Sequence, residues 1–204
     1  MPKFLNISDL RSHSPKSESL YFFDANVWLY SLINFDSLKQ SEQEYVKFFY
    51  RVFEEEIDTC KVLINNLLIA EIFNTYMHKI AVNLLRTKKY SGKLPEKFDF
   101  KRDFRNRHKE FFEQQHEKIK DDLHSFCNKS NILFLNDEFD KLNTELNIIT
   151  TCPTHFDFND HYYYQLLKNQ TIKPLVVTND SDWSVEDLEI LTVEKSLLNK
   201  RTYI

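Results

Sequence analysis

One glycine, Gly92, serves all 204 residues of the chain. Loops that cradle phosphate through close backbone approach need several glycines, so this scarcity excludes a Walker P-loop and the glycine-rich dinucleotide fingerprint together. Cysteine is nearly as scarce: Cys60, Cys127 and Cys152 are far apart, odd in number and outside any CxxC pair. They suggest neither a disulfide framework nor a zinc knuckle and are read as core or near-surface thiols. Long apolar runs are missing too. No stretch approaches the ~18 residues of a membrane-spanning helix, and Met1 to Ser19 has no apolar core suited to a signal peptide, so a cytoplasmic protein without a membrane partner is expected.

Positive charge is in short supply overall, with a formal net charge of −4, but its distribution matters more than its sum. From Arg86 to Lys120 there are 12 Lys/Arg against 6 Asp/Glu, which leaves 15 basic and 25 acidic residues elsewhere. The chain is an acidic body carrying one basic segment. Its length and its 42% hydrophobic content fit a single decorated domain over 20–204, preceded by a polar, serine- and proline-bearing arm at residues 1–19 that is expected to be flexible.

Apolar patterning organises the rest. Strands are expected at Ser19–Phe23, Lys61–Ile64, Asn131–Leu135 and Pro174–Thr178, with a last edge strand at Leu188–Val193. Helices are expected from Val27 to Ile33, Ser41 to Glu56, Asn66 to Thr87 and His161 to Asn169, with another ending near Leu146. Phe100, Phe104, Phe111, Ile119, Leu123 and Phe126 mark one face of a further long helix after Gly92 and Pro95. Strands alternating with helices predict a parallel sheet covered on both faces.

Ligands of open parallel sheets bind beyond the carboxyl ends of the strands, where strand order reverses. Asp24 follows the strand Leu20–Phe23 and Asp180 follows Leu175–Thr178, so both acids belong at such ends. Glu71 lies on the first turns of a helix, and Asp160 just precedes the helix expected at His161. Four converging carboxylates repel one another unless a cation lies among them, and hard oxygen ligands suit Mg²⁺ or Mn²⁺. One or two such ions favour attack by water on a phosphodiester.

The residues that carry these acids also resemble a family. Phe22-Phe23-Asp24-Ala25-Asn26-Val27-Trp28-Leu29 looks like the opening strand and turn of a PIN domain. Ile69-Ala70-Glu71-Ile72, Phe158-Asn159-Asp160-His161 and Val177-Thr178-Asn179-Asp180-Ser181-Asp182-Trp183 resemble the later motifs in order, over about Leu20 to Val193. The resemblance implies an α/β/α sandwich with a parallel central sheet and a Mg²⁺- or Mn²⁺-dependent endoribonuclease, often the toxin of a toxin–antitoxin pair. It assigns Asp24, Glu71, Asp160 and Asp180 to the catalytic and metal-binding positions, with Asn26, Thr178 and Asp182 in support. Two departures stand out. Glu71 and Asp160 are 89 positions apart, which makes the basic stretch at about 86–129 look like an inserted helical segment. Asp157 competes with Asp160 for the third position.

Each acid also has an ordinary explanation. Asp24 or Asp160 caps a following helix, Asp180 with Asn179 makes a turn, and Glu71 sits on a solvated helix face. Their joint occurrence in order favours a site. His155 and His161 are read as structural, Cys152 and His155 fall short of a zinc set, and Tyr162, Tyr163 and Tyr164 belong mainly to the core. In the basic segment Lys88, Lys89, Arg102, Arg105 and Arg107 are candidates for RNA phosphates, with a solvated face or an antitoxin-docking surface as rivals. The candidate partners are an RNA substrate, an antitoxin and, as a homodimer, a second copy of the chain. A catalytically inactive PIN-like binding module is the alternative from another class. A haloacid-dehalogenase-like phosphatase ranks low, because it needs an aspartate where Asn26 stands.

Overall fold

The computed structural model describes residues 5–33, 37–55, 58–88, 98–138, 142, 147–154 and 156–200, with the backbone alone at 85–88. Lys89, Gly92, Pro95, His155 and most of the helix expected up to Leu146 lie outside the described residues, as does the side chain of Lys88. The chain divides into two compact units, Met1–Asn66 with Lys129–Ile204, and Leu67–Asn128.

The first unit is built on β1 (Ile7–Asp9), β2 (Leu20–Phe23), β3 (Lys61–Ile64), β4 (Ile132–Phe134), β5 (Leu175–Val177) and β6 (Glu189–Thr192). They form one six-stranded sheet in the order β1-β6-β5-β2-β3-β4, and every neighbouring pair is parallel. Central strands of such a sheet are buried on both faces, which explains their unbroken apolar runs. Its helices are α1 (Ala25–Leu32), α2 (Gln40–Tyr50), α5 (Phe158–Lys168) and α6 (Lys195–Lys200).

The aromatic side chains of β2 show how these layers stack. Tyr21 and Phe23 meet Phe48 of α2 with ring centroids 5.6 and 6.2 Å apart, and Phe23 also meets Phe49 at 5.1 Å. Phe22 instead meets Tyr163 of α5 at 5.3 Å. Successive strand residues point to opposite faces, so α2 and α5 cover opposite sides of the sheet. The fold is therefore a mixed α/β architecture with a parallel six-stranded central sheet and flanking helices.

The second unit contains α3 (Asn66–Lys88, apart from its first residue), a wide π-helical segment Phe100–Asn106, and α4 (Lys109–Cys127). Phe104, Ile119 and Leu123 are buried, and Phe104 lies 5.3 Å from Phe100 and 5.7 Å from Phe112 by ring centroids. No helix among the described residues is long and apolar enough to cross a membrane.

Several sequence expectations change. Residues 5–19 are not a loose arm: β1 adds to the sheet edge beside β6, and Leu5, Ile7 and Leu10 are buried. The polar composition hid three apolar anchors. The strand expected last at an edge, β6, is interior, because β1 covers its far side. The single helix through Phe100 and Phe126 is two segments, broken where His108 adopts φ −121° and ψ 45°. Asp99 and Asp103 close the first segment by reciprocal hydrogen bonds: Arg102 N donates to Asp99 at 2.7 Å and Asp99 N to Asp103 at 2.9 Å. The helical unit Leu67–Asn128 takes in α3 together with most of the segment at about 86–129. With glycine so scarce, left-handed backbone falls to Glu18, Glu138 and Asn147, at φ 64°, 37° and 49°.

Candidate functional site

The chain runs from β2 to β3 and β4 on one side of the sheet, then returns to β5 and β6 on the other. Strand order thus reverses between β2 and β5, where a parallel sheet opens a crevice at its carboxyl edge. Register places Phe23 beside Val177 there, and Asp24 N continues the ladder by donating to Val177 O at 3.0 Å. Asp24 and the segment Thr178–Trp183 emerge together from adjacent strand ends.

Asp24 is 4% exposed and precedes α1, yet its carboxylate makes no capping hydrogen bond to that helix. Instead Oδ2 accepts from the Thr178 hydroxyl at 2.8 Å. The same hydroxyl oxygen accepts from Asp180 N at 2.9 Å, so one buried threonine fixes both motifs. Asp180 Oδ1 accepts from Asp182 N at 2.9 Å, the local turn expected of an aspartate in a loop. Three residues after Asp180, Trp183 Nε1 donates to Asp160 Oδ1 at 3.1 Å. A single loop therefore touches the acid after β2 and the acid on α5.

Asp160 is 9% exposed and is brought there by α5, which starts at Phe158 and not at His161 as expected. The earlier start follows from Asp157, whose exposed side chain caps the helix by accepting from Asp160 N at 2.9 Å. Between the two aspartates competing for the third position, Asp157 is the helix cap and Asp160 the buried acid. Burial pushes the Asp160 carboxyl up to about 8, and the negative charges of Asp24, Asp157 and Asp180 push the same way, against a smaller opposing effect from the Trp183 hydrogen bond. Asp24, Asp160 and Asp180 are thus one electrostatic group in the first unit. Glu71 belongs to α3 in the second unit, where it is half-buried.

A cleft of about 360 Å³ lies at this edge, lined by Asn26, Asn179, Asp180, Ser181, Glu194 and Ser196. Asn179 donates to the Tyr30 hydroxyl at 2.6 Å, while its Oδ1 is buried with no partner among the described residues. Sequence reasoning read Asn179 only as a turn residue within the last motif and missed Glu194, which has no spacing signal of its own. It also missed Tyr45, whose place on the apolar face of α2 marked it only as core. The Tyr45 hydroxyl reaches Thr178 O at 3.0 Å and Thr192 Oγ1 at 2.9 Å, and accepts from Val193 N at 3.0 Å. It ties the ends of β5 and β6 together under the site.

No family model, curated protein or solved structure matches the chain. Its chemistry has to be read from the site alone. Among the described residues no group of three His, Cys, Asp or Glu stands assembled as a metal cage. The donors present are all hard oxygens: the carboxylates of Asp24, Asp160 and Asp180 and the unpartnered Asn179 carbonyl. That set fits Mg²⁺ or Mn²⁺, since Mg²⁺ takes one or two carboxylates and completes its shell with water and substrate phosphate oxygens. His161 is 2% exposed and its Nε2 lies 3.4 Å from Thr151 Oγ1, which agrees with a structural role.

In the basic segment Arg102 and Arg107 lie 2.6 and 4.0 Å from Asp103, and Lys120 lies 2.7 Å from Glu117. Arg102 and Arg107 hold the Asp103 carboxyl well below the usual carboxylate range, the hydrogen bond from Arg102 having the largest effect. Arg105 instead sits over the Phe112 ring, 5.6 Å from its centroid. Among the described residues, Arg102, Arg107 and Lys120 thus each have an acidic neighbour.

Proposed function

We propose that the chain is a PIN-like, Mg²⁺- or Mn²⁺-dependent nuclease that hydrolyses RNA phosphodiester bonds. The observation that supports this reading best is Asp160: a carboxyl buried at the sheet's switch point, opposed by three other acids and aided only weakly by the Trp183 hydrogen bond. Neighbouring like charges are unfavourable in a folded protein unless they serve a cation or a proton, and the all-oxygen donor set favours a hard cation. Asp24, Asp160 and Asp180 are the proposed ligands in the first unit, with Glu71 as the fourth acid that the motif order suggests. A divalent ion there would polarise the phosphate and lower the pKa of water. The chain's own part is orientation. Thr178 fixes Asp24, Trp183 fixes Asp160, and the Asp182 N–H fixes Asp180. The same reading sets the protein in the cytoplasm, with RNA as substrate and an antitoxin or a second copy as candidate partners.

An inactive binding module of the same fold is favoured by one observation, the absence of an assembled three-ligand cage among the described residues. Incubation of the purified chain with RNA and DNA in Mn²⁺, Mg²⁺ or chelator separates the two. The nuclease reading expects RNA cleavage that requires metal and that Asp24→Asn and Asp180→Asn each reduce by orders of magnitude without unfolding. Cleavage in chelator, or full activity in both variants, would overturn it.

A further inference from the structure

The helical unit contains a second cleft, of about 390 Å³, whose lining includes Asn74 and His78 of α3, Phe100 and Arg105 of the π-helical segment, and Phe112 and His116 of α4. Its volume lies within the ~300–1,000 Å³ range of small-molecule sites. Flat rings dominate it. His78 and Phe100 are nearly parallel, 19° between planes at 6.2 Å, and Phe112 and His116 are inclined by 36° at 5.7 Å. These side chains are half-buried or exposed, whereas the neighbouring Phe104 is fully buried and supplies core packing. Arg105 is exposed, with its guanidinium over the Phe112 face.

The lining combines aromatic faces, one arginine, two imidazoles, one carboxamide and the thioether of Met77, with no carboxylate among the described residues; Glu117 meets His116 Nδ1 at 3.6 Å. An aliphatic ligand would make no use of Arg105 or Asn74, and a bare phosphate would make no use of the rings. A planar, polar-edged ring carrying an anion uses all of them: the ring on the aromatic faces, its donor and acceptor edge on the Asn74 amide, its phosphate on Arg105. Exposed Lys101 stands in the same unit and suits a continuing phosphate backbone, while Arg102 and Arg107 share Asp103 and Lys109 pairs with Glu113. We infer that this cleft receives one unstacked nucleobase of a single-stranded nucleic acid together with its phosphate. Such stacking platforms are how proteins hold single strands without reading their sequence. The inference concerns binding within the helical unit and goes beyond the nuclease reading, so it is measured where no cleavage occurs.

The full chain, in chelator, is titrated with adenosine and uridine 5′-monophosphates, the parent nucleosides and ribose 5-phosphate, and followed by calorimetry and saturation-transfer NMR. Saturation should reach the base protons, and ribose 5-phosphate should not displace the nucleotides. Arg105→Gln should weaken the monophosphates by about tenfold, the loss of one charge-assisted hydrogen bond, and leave the nucleosides nearly unchanged. Asn74→Ala, an independent exposed position, should weaken nucleosides and nucleotides alike. Unchanged melting temperatures establish that both variants fold. The inference fails if base protons receive no saturation at millimolar ligand, if ribose 5-phosphate competes as well as a nucleotide, or if Arg105→Gln binds monophosphates like the parent. Binding of a tyrosine-bearing peptide but of no monophosphate would also overturn it, in favour of a protein partner.

Discussion

Asp160 accepts a hydrogen bond from Trp183 through Oδ1, is nearly buried, and is pushed from its ordinary 3.8 up to about 8. Between those two values the native metal-free protein holds a proton that the unfolded chain has released. Stability in chelator should therefore be fully present below about pH 4 and fall as pH rises towards about 8, by on the order of a few kcal/mol from this group. Asp160→Asn keeps the acceptor for Trp183 and removes the titration. Thermal melts of this variant in chelator should show a weaker decline over that window and, at pH 8, a melting temperature at or above the parent's. A melting temperature well below the parent's at pH 8 would make Asp160 a structural group and remove it from the site. Thr178 acts at the same scale. Its hydroxyl donates to Asp24 and accepts from Asp180 N, so Thr178→Val should impair any metal-dependent activity through mispositioning, with both carboxylates still present. Activity equal to the parent's at every metal concentration would contradict that role.

At the scale of elements, the site depends on how β5 and β6 end. Both strands are short, Leu175–Val177 and Glu189–Thr192, and the Tyr45 hydroxyl bridges the backbone just beyond them. Tyr45→Phe removes one hydroxyl and deprives the buried Thr178 O and Val193 N–H of their shared partner. The expected cost is about 1–3 kcal/mol, or some 2–12 °C in melting temperature for a chain of this size. A variant that melts within a degree of the parent would mean that water replaces the phenol without cost. β1 allows a comparable test. Ile7 and Leu10 are 1% and 3% exposed, so Ile7→Ala should destabilise by about 2–5 kcal/mol, where a flexible arm would tolerate it without effect. Denaturant melts distinguish these outcomes directly.

For the whole molecule, acids grouped at the switch point couple cation binding to folding. A ligand that binds only the native state stabilises it by RT ln(1 + [L]/Kd). Mn²⁺ should therefore raise the melting temperature of the full chain in proportion to the logarithm of its concentration once the site is filled, and Asp24→Asn should lose most of that increment. The inactive-module reading expects no increment in either protein, so one titration bears on activity without any knowledge of the RNA target. The charge asymmetry of the chain acts at the same scale. Arg102 and Arg107 share Asp103, so they offer a nucleic acid less net charge than the 12 bases between Arg86 and Lys120 suggest.

The sequence by itself determined the alternation of apolar strands and amphipathic helices, and hence a parallel sheet, because burial on both faces requires unbroken runs such as Leu20–Phe23 and Lys61–Ile64. It also determined that Asp24 and Asp180 follow such runs, since position relative to a strand end is a local property of the chain. What it left open was non-local. That β1 pairs with β6 rests on register across more than 180 positions, which no periodicity in a polar segment records. Asp157 is the cap and Asp160 the buried acid because one helix turn decides which side chain meets a backbone N–H and which meets Trp183. The Tyr45 hydroxyl and the Asn179 carbonyl became visible only in three dimensions, because hydrogen-bond partners and burial arise from packing distant segments together.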